Sequence, residues 1–329
     1  MRGKDFGQPG RKKEERRREV IKTEPVEILM ATYNGSLFLR EQMDSILNQT
    51  DGNWHLTVSD DGSDDGTQDI IADYARRFPE KITWHQAGKR FGNARDHFFH
   101  LMKQCSAAWM LCCDQDDTWY PNKVEKTRDA IRTAERQYGS GQPLLVFSDQ
   151  VPTDAQLCPL APSLMRYQKQ YFKSFDFRSI LMQNVVTGGA MGINRALVEL
   201  AGQCADVSQI IMHDWWMAAV AARFGKIIYI DEPLGTYRQH GNNAEGAKHV
   251  GSLSYAYGRI RKLQGVRDAI RNKKRQAAVF QKTYQADLTP DDAAFLAGFG
   301  KKRSGFSFYW KYRKLLYGKV RKAGMALLG

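Results

Sequence analysis

No stretch of this 329-residue chain approaches the roughly 18 to 20 uninterrupted apolar residues that a membrane-spanning helix needs. The N-terminal segment is charged where a secretory signal is apolar, so the chain is expected in the cytoplasm or on the inner face of the cytoplasmic membrane. Cysteine is scarce as well. Cys105, Cys112, Cys113, Cys158 and Cys204 show no metal-type spacing, which fits a reducing compartment. Adjacent Cys112 and Cys113 lie in an apolar run and, on a strand, point to opposite faces as small core residues. Internal repeats and low-complexity tracts are missing too. What is abundant is order-forming residue: 42% hydrophobic content excludes a disordered protein and suits one large α/β domain with an appendage.

Charge of one sign is concentrated at the two ends. Residues 1–24 hold nine Lys/Arg against five Asp/Glu, and residues 248–329 hold nineteen against four. The net charge of the whole chain is only +13, so the stretch from 25 to 247 is acidic. An acidic body repels phosphates, which argues against nucleic-acid binding and means that any phosphate held there needs a metal. Residues 1–24, with the block Arg11 to Arg18, read as a basic arm too polar to build a core.

From Val26 apolar runs and helical periodicity alternate. Strands are expected at 26–31, 54–59, 81–85, 109–113, 144–148 and 226–230. Helices are expected at 38–48, 67–78, 93–103, 122–138 and 213–224. Asn184 to Ile193 reads as a strand interrupted by Gly188 and Gly189, which allow a bulge or close backbone approach. This spacing implies an α/β fold with a Rossmann-like, doubly wound, mostly parallel sheet and ligands at the carboxyl ends of its strands. Two acidic clusters fall at such ends. Asp60-Asp61-Gly62-Ser63 follows one apolar run, and Asp114-Gln115-Asp116-Asp117 follows another. Carboxylates so crowded repel one another unless a cation neutralises them, and oxygen ligands suit Mg²⁺ or Mn²⁺.

Five segments in order, Ala31-Thr32-Tyr33-Asn34-Gly35, Asp60 to Ser63, Asp114 to Asp117 with Trp119, Pro121 and Lys123, His213-Asp214, and Tyr237 to Asn243, together resemble the family 2 inverting glycosyltransferases of GT-A fold. The likeness covers about residues 25–247 and is greatest to the bacterial rhamnosyltransferase branch that builds cell-surface polysaccharides. The family's processive synthases carry Gln-x-x-Arg-Trp and membrane spans; this chain has neither, which favours transfer of one sugar per encounter. The resemblance implies a nucleotide-sugar donor, dTDP- or UDP-linked, and a saccharide or lipid-linked acceptor. It implies that Thr32, Tyr33, Asn34, Asp60 and Asp61 hold the nucleoside, a carboxylate being suited to accept from a pyrimidine N–H or a ribose hydroxyl. Asp61 to Ser63 is equally the composition of a turn and helix cap.

In Asp114-Gln115-Asp116, which looks like the family's DxD signature, the resemblance implies that Asp116 binds the metal that bridges the two donor phosphates. Asp114 and Gln115 lie on the nucleotide-sugar side, with Asp114 touching ribose or a metal-bound water. The resemblance makes Asp214 the candidate general base, for the family places an acidic residue at the start of a helix beneath the acceptor; an N-cap is the plain alternative. The commoner Glu-Asp pair is here His213-Asp214. His240 completes the metal site or contacts the diphosphate, with Arg238 an alternative partner for phosphate. Gly188 is expected beside the donor sugar or acceptor. Trp215 and Trp216 suit sugar stacking or core packing.

The segment 252–284 reads as a basic helix, and 306–328 interleaves aromatic residues with Lys and Arg. Such a segment suits an anionic membrane surface, where a lipid-linked acceptor resides; packing on the body is the other reading. A sugar-phosphate nucleotidyltransferase would carry a Gly-rich phosphate loop where this chain has Thr32 to Gly35. A noncatalytic membrane-surface scaffold has no need of Asp116 and Asp214.

Overall fold

The computed structural model describes residues 24–170, 174–241, 263–301 and 305–315. Its first half alternates β1 (Val26–Thr32), α1 (Leu39–Leu47), β2 (Trp54–Asp60), α2 (Thr67–Arg77), β3 (Ile82–His85), α3 (Ala94–Gln104), β4 (Trp109–Cys113) and α4 (Lys123–Tyr138). These bounds match the expected elements to within a residue or two. β1 pairs in parallel with both β2 and β4, and β2 with β3. The chain therefore winds from β1 out to β3, then returns to the other side of β1. That reversal opens a crevice at the carboxyl ends of β1 and β4, where ligands bind in sheets of this kind.

The central strands β1 and β4 are apolar on both faces, as parallel strands covered by helices must be, whereas β2 and β3 toward the sheet edge carry His55, Thr57, Thr83 and His85 on one face. Val26, Ile28 and Met30 of β1 are fully buried in one core with Leu39, Met43 and Ile46 of α1, while Leu29 joins the opposite core with Phe98 and Met102 of α3. Burial of each such side chain contributes about 1.5–3 kcal/mol. Cys112 and Cys113 fall into these two different cores, as strand alternation requires.

After β5 (Leu144–Thr153) come two short helices, α5 (Leu164–Tyr167) and α6 (Phe177–Met182), then β6 (Met191–Asn194), α7 (Arg195–Ala201), α8 (His213–Phe224) and β7 (Lys226–Arg238). The sheet order is β3-β2-β1-β4-β6-β5-β7, with β6 antiparallel to both its neighbours. Three features differ from expectation. The segment 184–193 is not one interrupted strand: Gly188–Ala190 forms a 3₁₀ turn and only Met191–Asn194 pairs in the sheet. β5 and β7 run on past Ser148 and Ile230, with Pro152 and Pro233 tolerated because register shifts after Ser148 break the ladder locally. The loop-rich stretch contains α5 and α6, too short for helical periodicity to show.

The C-terminal region adds α9 (Leu263–Thr283), α10 (Pro290–Gly300) and α11 (Gly305–Tyr312). The expected basic helix is found from Leu263; its first residues, the 1–23 arm, Asn242, Asn243 and residues 316–329 lie outside the described residues. Ile270, Ala277 and Phe280 of α9 and the following Tyr284 are buried in the same core as α8. Phe280 and Tyr284 lie 5.5 and 6.1 Å from the Trp216 ring. Trp216 is thus a core residue. Arg267, Arg271 and Arg275, spaced one turn apart, are exposed on another face of α9. No described helix is long and apolar enough to cross a membrane.

Candidate functional site

The first strand end is built by a turn that needs unusual backbone. Asn34 adopts φ 46°, a left-handed conformation that Asn tolerates, and its amide donates to Ser63 Oγ at 2.8 Å. Gly35 lies so near Gln115 that a Cβ there would meet the Gln115 amide oxygen at 2.3 Å. Gln115 in turn forms two 2.9 Å hydrogen bonds with the backbone N–H and C=O of Tyr33, tying the first turn to the acidic strand end. Thr32 is buried and donates to Asp60 Oδ1 at 2.8 Å. Asp60 also accepts from Ser63 Oγ and from the amides of Gly62 and Ser63, an Asx turn that leaves its carboxylate half-buried at the crevice.

Asp61 is placed differently. It is 4% exposed, and its two oxygens accept from the amides of Phe91 and Gly92 at 2.5 and 2.7 Å. Its carboxylate therefore holds the loop 88–92 and has no face toward a nucleoside. That loop supplies a residue the sequence reading passed over. Arg90 donates from Nε to Asp61 O at 2.9 Å, and its guanidinium lies 5.5 Å from the centre of the Tyr33 ring, itself half exposed. This is a cation–π contact at the end of the first strand. The signal was present as two cations, Lys89 and Arg90, between Gly88 and Gly92, both at positive φ.

At the end of β4 the three carboxylates have separate surroundings. Asp117 is buried; it accepts from the Arg238 amide at 2.9 Å and the Gln150 side-chain amide at 3.1 Å. Burial and then the neighbouring Asp116 and Asp114 charges push its carboxyl well above the ordinary range. Burial, and next the Asp116 charge, raise Asp114 to about 7. Asp116 is the most outward, with Oδ2 2.7 Å from His240 Nε2. The structure thus brings together the two residues expected at a metal, one oxygen and one nitrogen donor side by side. Among the described residues no group of three or more His, Cys, Asp or Glu is gathered to hold a metal ion. Two protein donors with the rest from phosphate and water is nonetheless how Mg²⁺ is commonly held at diphosphates, so this donor pair fits a divalent cation.

Arg238 does not reach out to a phosphate. Its guanidinium is buried over the Phe38 ring, donates to Asp116 O and Ala155 O at 2.7 and 2.9 Å, and pairs with Glu41. It fixes the backbone of the acidic turn.

Across the crevice, Asp214 is the second residue of α8, whose N-cap is Met212. The capping reading therefore does not hold. The Asp214 carboxylate accepts from the Trp215 amide at 2.6 Å, and its Cβ lies 3.9 Å from where a Cβ on Gly188 would be. Gly188 is buried between the two sides of the crevice. Trp215 donates through its indole to Ile180 O at 2.6 Å and carries Lys273 of α9 over its ring at 5.4 Å.

His213 is buried, stacked on Phe98 at 4.3 Å, and neither ring nitrogen has a hydrogen-bond partner. Burial lowers its pKa to about 3, and burial lowers buried His97 to about 4. Both are neutral in the folded chain and become charged in the unfolded one below about pH 6.5, so the unfolded state binds more protons and acid destabilises the fold. We expect the urea midpoint to fall as pH drops from 6.5 toward 4, each histidine contributing about 1.4 kcal/mol per pH unit. In His213→Phe that slope should lessen by one proton; an unchanged slope would refute this assignment.

With this geometry in hand, three comparisons identify the relationship. The sequence profile of Glycosyl transferase family 2 matches residues 27–200, a little over half the chain. The dTDP-rhamnosyl transferase RfbG of Shigella flexneri is 28% identical over 232 residues, 66% of this chain and 74% of that protein. An uncharacterized glycosyltransferase of Nostoc is 26% identical over 227 residues, 66% of each chain. Among solved structures, residues 1–349 of S. aureus TarS in complex with UDP-GlcNAc superpose with a TM-score of 0.52 over 92% of this chain and 90% of that one. At 12% identity that likeness is one of fold. An α/β sheet reversing at β1 and β4, strand-end carboxylates and a family match over more than half the residues lead to one conclusion: the chain belongs to glycosyl transferase family 2 and is a glycosyltransferase of GT-A fold.

Proposed function

We propose that the chain is an inverting, non-processive glycosyltransferase that moves one sugar, rhamnose favoured, from a nucleoside diphosphate to a saccharide or lipid-linked acceptor in cell-surface polysaccharide synthesis. The observation that carries this reading is the Gly188–Gly189 turn, which lies against His213 and Asp214 on one side and against Asp114 and Asp117, the neighbours of the Asp116–His240 pair, on the other. Asp60 and the turn from Thr32 to Asn34 bind the nucleoside, and Asp114 faces the ribose side. Asp214 takes the proton of the acceptor hydroxyl as its oxygen bonds to the anomeric carbon; the bond from that carbon to the diphosphate breaks, and the nucleoside diphosphate leaves. Asp116 and His240 hold Mg²⁺ or Mn²⁺, which when bound offsets the charge on the leaving diphosphate.

The preference for rhamnose and dTDP is supported by similarity to a protein named dTDP-rhamnosyl transferase. We assign catalysis to residues 25–247. Within the 248–329 extension, α9 docks on α8 through its apolar stripe and offers Arg267, Arg271 and Arg275 to an anionic membrane surface at the inner face of the cytoplasmic membrane.

Thermal unfolding with dTDP, UDP or GDP, each with Mn²⁺, tests the donor. A nucleotide at 100 times its Kd stabilises the fold by about 2.7 kcal/mol, a rise in Tm of roughly 4 °C for a chain of this length. The largest rise is expected with dTDP and the smallest with GDP. A rise with GDP alone contradicts the assignment.

A further inference from the structure

Lys123, the first residue of α4, is a charged group that the mechanism above does not use. It is 1% exposed, and its Nζ lies 4.5 Å from the centre of the Trp119 ring and donates to Gly189 O at 2.8 Å. The amide of the same Gly189 hydrogen-bonds the Asp114 carboxylate. Gly189 is therefore held at both of its backbone groups, its carbonyl by an ammonium behind the acidic strand end and its N–H by a carboxylate within it. The fit is close: a Cβ on Gly189 would lie 2.7 Å from Asp114 Oδ2 and 3.2 Å from Asp117 Oδ2. One residue earlier, a Cβ on Gly188 would lie 3.0 Å from His213 Nε2 and 3.9 Å from Asp214 Cβ. Two consecutive glycines thus touch the donor-side carboxylates with one residue and the start of α8 with the other.

A buried ammonium is costly, and burial lowers the Lys123 pKa to about 8. A methionine would fill the same volume without that cost. Besides a positive charge that Asp117 and Asp114 attract, and that Lys123→Met and Lys123→Gln remove alike, the ammonium adds a directed hydrogen bond to a turn that belongs to neither α4 nor β4. We infer that Lys123 is a positioning residue: by anchoring Gly189 it sets the Gly188–Gly189 turn, and with it the separation between the diphosphate-binding strand end and Asp214. This rests on the reading of Asp116 and Asp214 given above. Misplacing reacting groups by about 1 Å lowers rates on the order of 100-fold without removing any of them.

The test compares Lys123→Met, Lys123→Gln and Gly188→Ala for kcat, KM, nucleoside diphosphate affinity by calorimetry, and Tm. Lys123→Met is expected to lower kcat about 100-fold while nucleoside diphosphate affinity stays within about 3-fold. Lys123→Gln, whose amide can still donate to Gly189 O, is expected to recover about 10-fold of that loss even where its Tm is below that of Lys123→Met. Packing alone predicts the opposite order, with kcat following Tm. Should Lys123→Met fail to fold, Gly188→Ala decides, because it displaces the turn with Lys123 in place: a lowered kcat at unchanged nucleotide affinity supports the inference. A kcat within about 2-fold of the unmodified chain in Gly188→Ala or Lys123→Met, or a kcat that tracks Tm across the set, overturns it. No transfer by the unmodified chain from any nucleotide sugar overturns instead the functional reading, and this inference with it.

Discussion

Replacing Asp116 with alanine is expected to lower kcat by about 1,000-fold, roughly 4 kcal/mol of lost transition-state stabilisation. The loss follows from geometry. Asp116 is the outermost carboxylate of the strand end and the one whose Oδ2 meets His240, so no neighbour can take its place at a divalent cation. Asp117 is buried under Arg238 and Gln150, and Asp114 is engaged with the Gly189 amide. Stability should move the other way. The Asp116 charge helps push both Asp114 and Asp117 above the ordinary carboxyl range, so its removal relieves a repulsion and Tm should rise by a degree or two. Initial rates across a Mn²⁺ titration, with Tm on the same preparation, check both signs. A variant that keeps a tenth or more of its kcat would show that the diphosphate is held elsewhere.

Asp214→Asn is expected to cost between about 100-fold and 10,000-fold in kcat, the range for loss of a positioned general base. Asparagine preserves the side chain's shape and can still accept from the Trp215 amide, so the start of α8 should be undisturbed. Affinity for the nucleoside diphosphate should therefore stay near that of the unmodified chain, because Asp60 and Asp116 stand at the ends of β2 and β4 and Asp214 belongs to α8. The decisive comparison is single-turnover sugar transfer against calorimetric nucleotide binding. Equal loss in both would mean that Asp214 supports folding of the site and takes no proton.

Much of this was legible in the amino-acid order. Strand and helix positions in the first half followed from apolar runs and 3.6-residue periodicity, because a parallel strand buried on both faces and a helix buried on one leave those patterns locally. The pairing of Asp116 with His240, 124 residues apart, was reached through the family likeness; no local pattern joins them. Three assignments depended on packing instead. Asp61 reads like its neighbour Asp60 in a chain of letters, yet one side chain turns to the crevice and the other is consumed by the amides of Phe91 and Gly92. Arg238 looked like a phosphate partner and is buried beneath the turn it supports. The glycines at 188 and 189 looked like a flaw in a strand and are a turn held between two walls of the site.

The sequence by itself determined the fold class, the order of the strand-end carboxylates and the family, since each is written in short-range pattern or in motif order. Only the tertiary structure decided which carboxylates face the crevice, that Lys123 grips Gly189, and that α9 shares a core with α8. Those facts depend on approaches of a few ångströms between residues tens to more than a hundred positions apart. Such approaches are set by how whole elements pack, and nothing in the local chain encodes them.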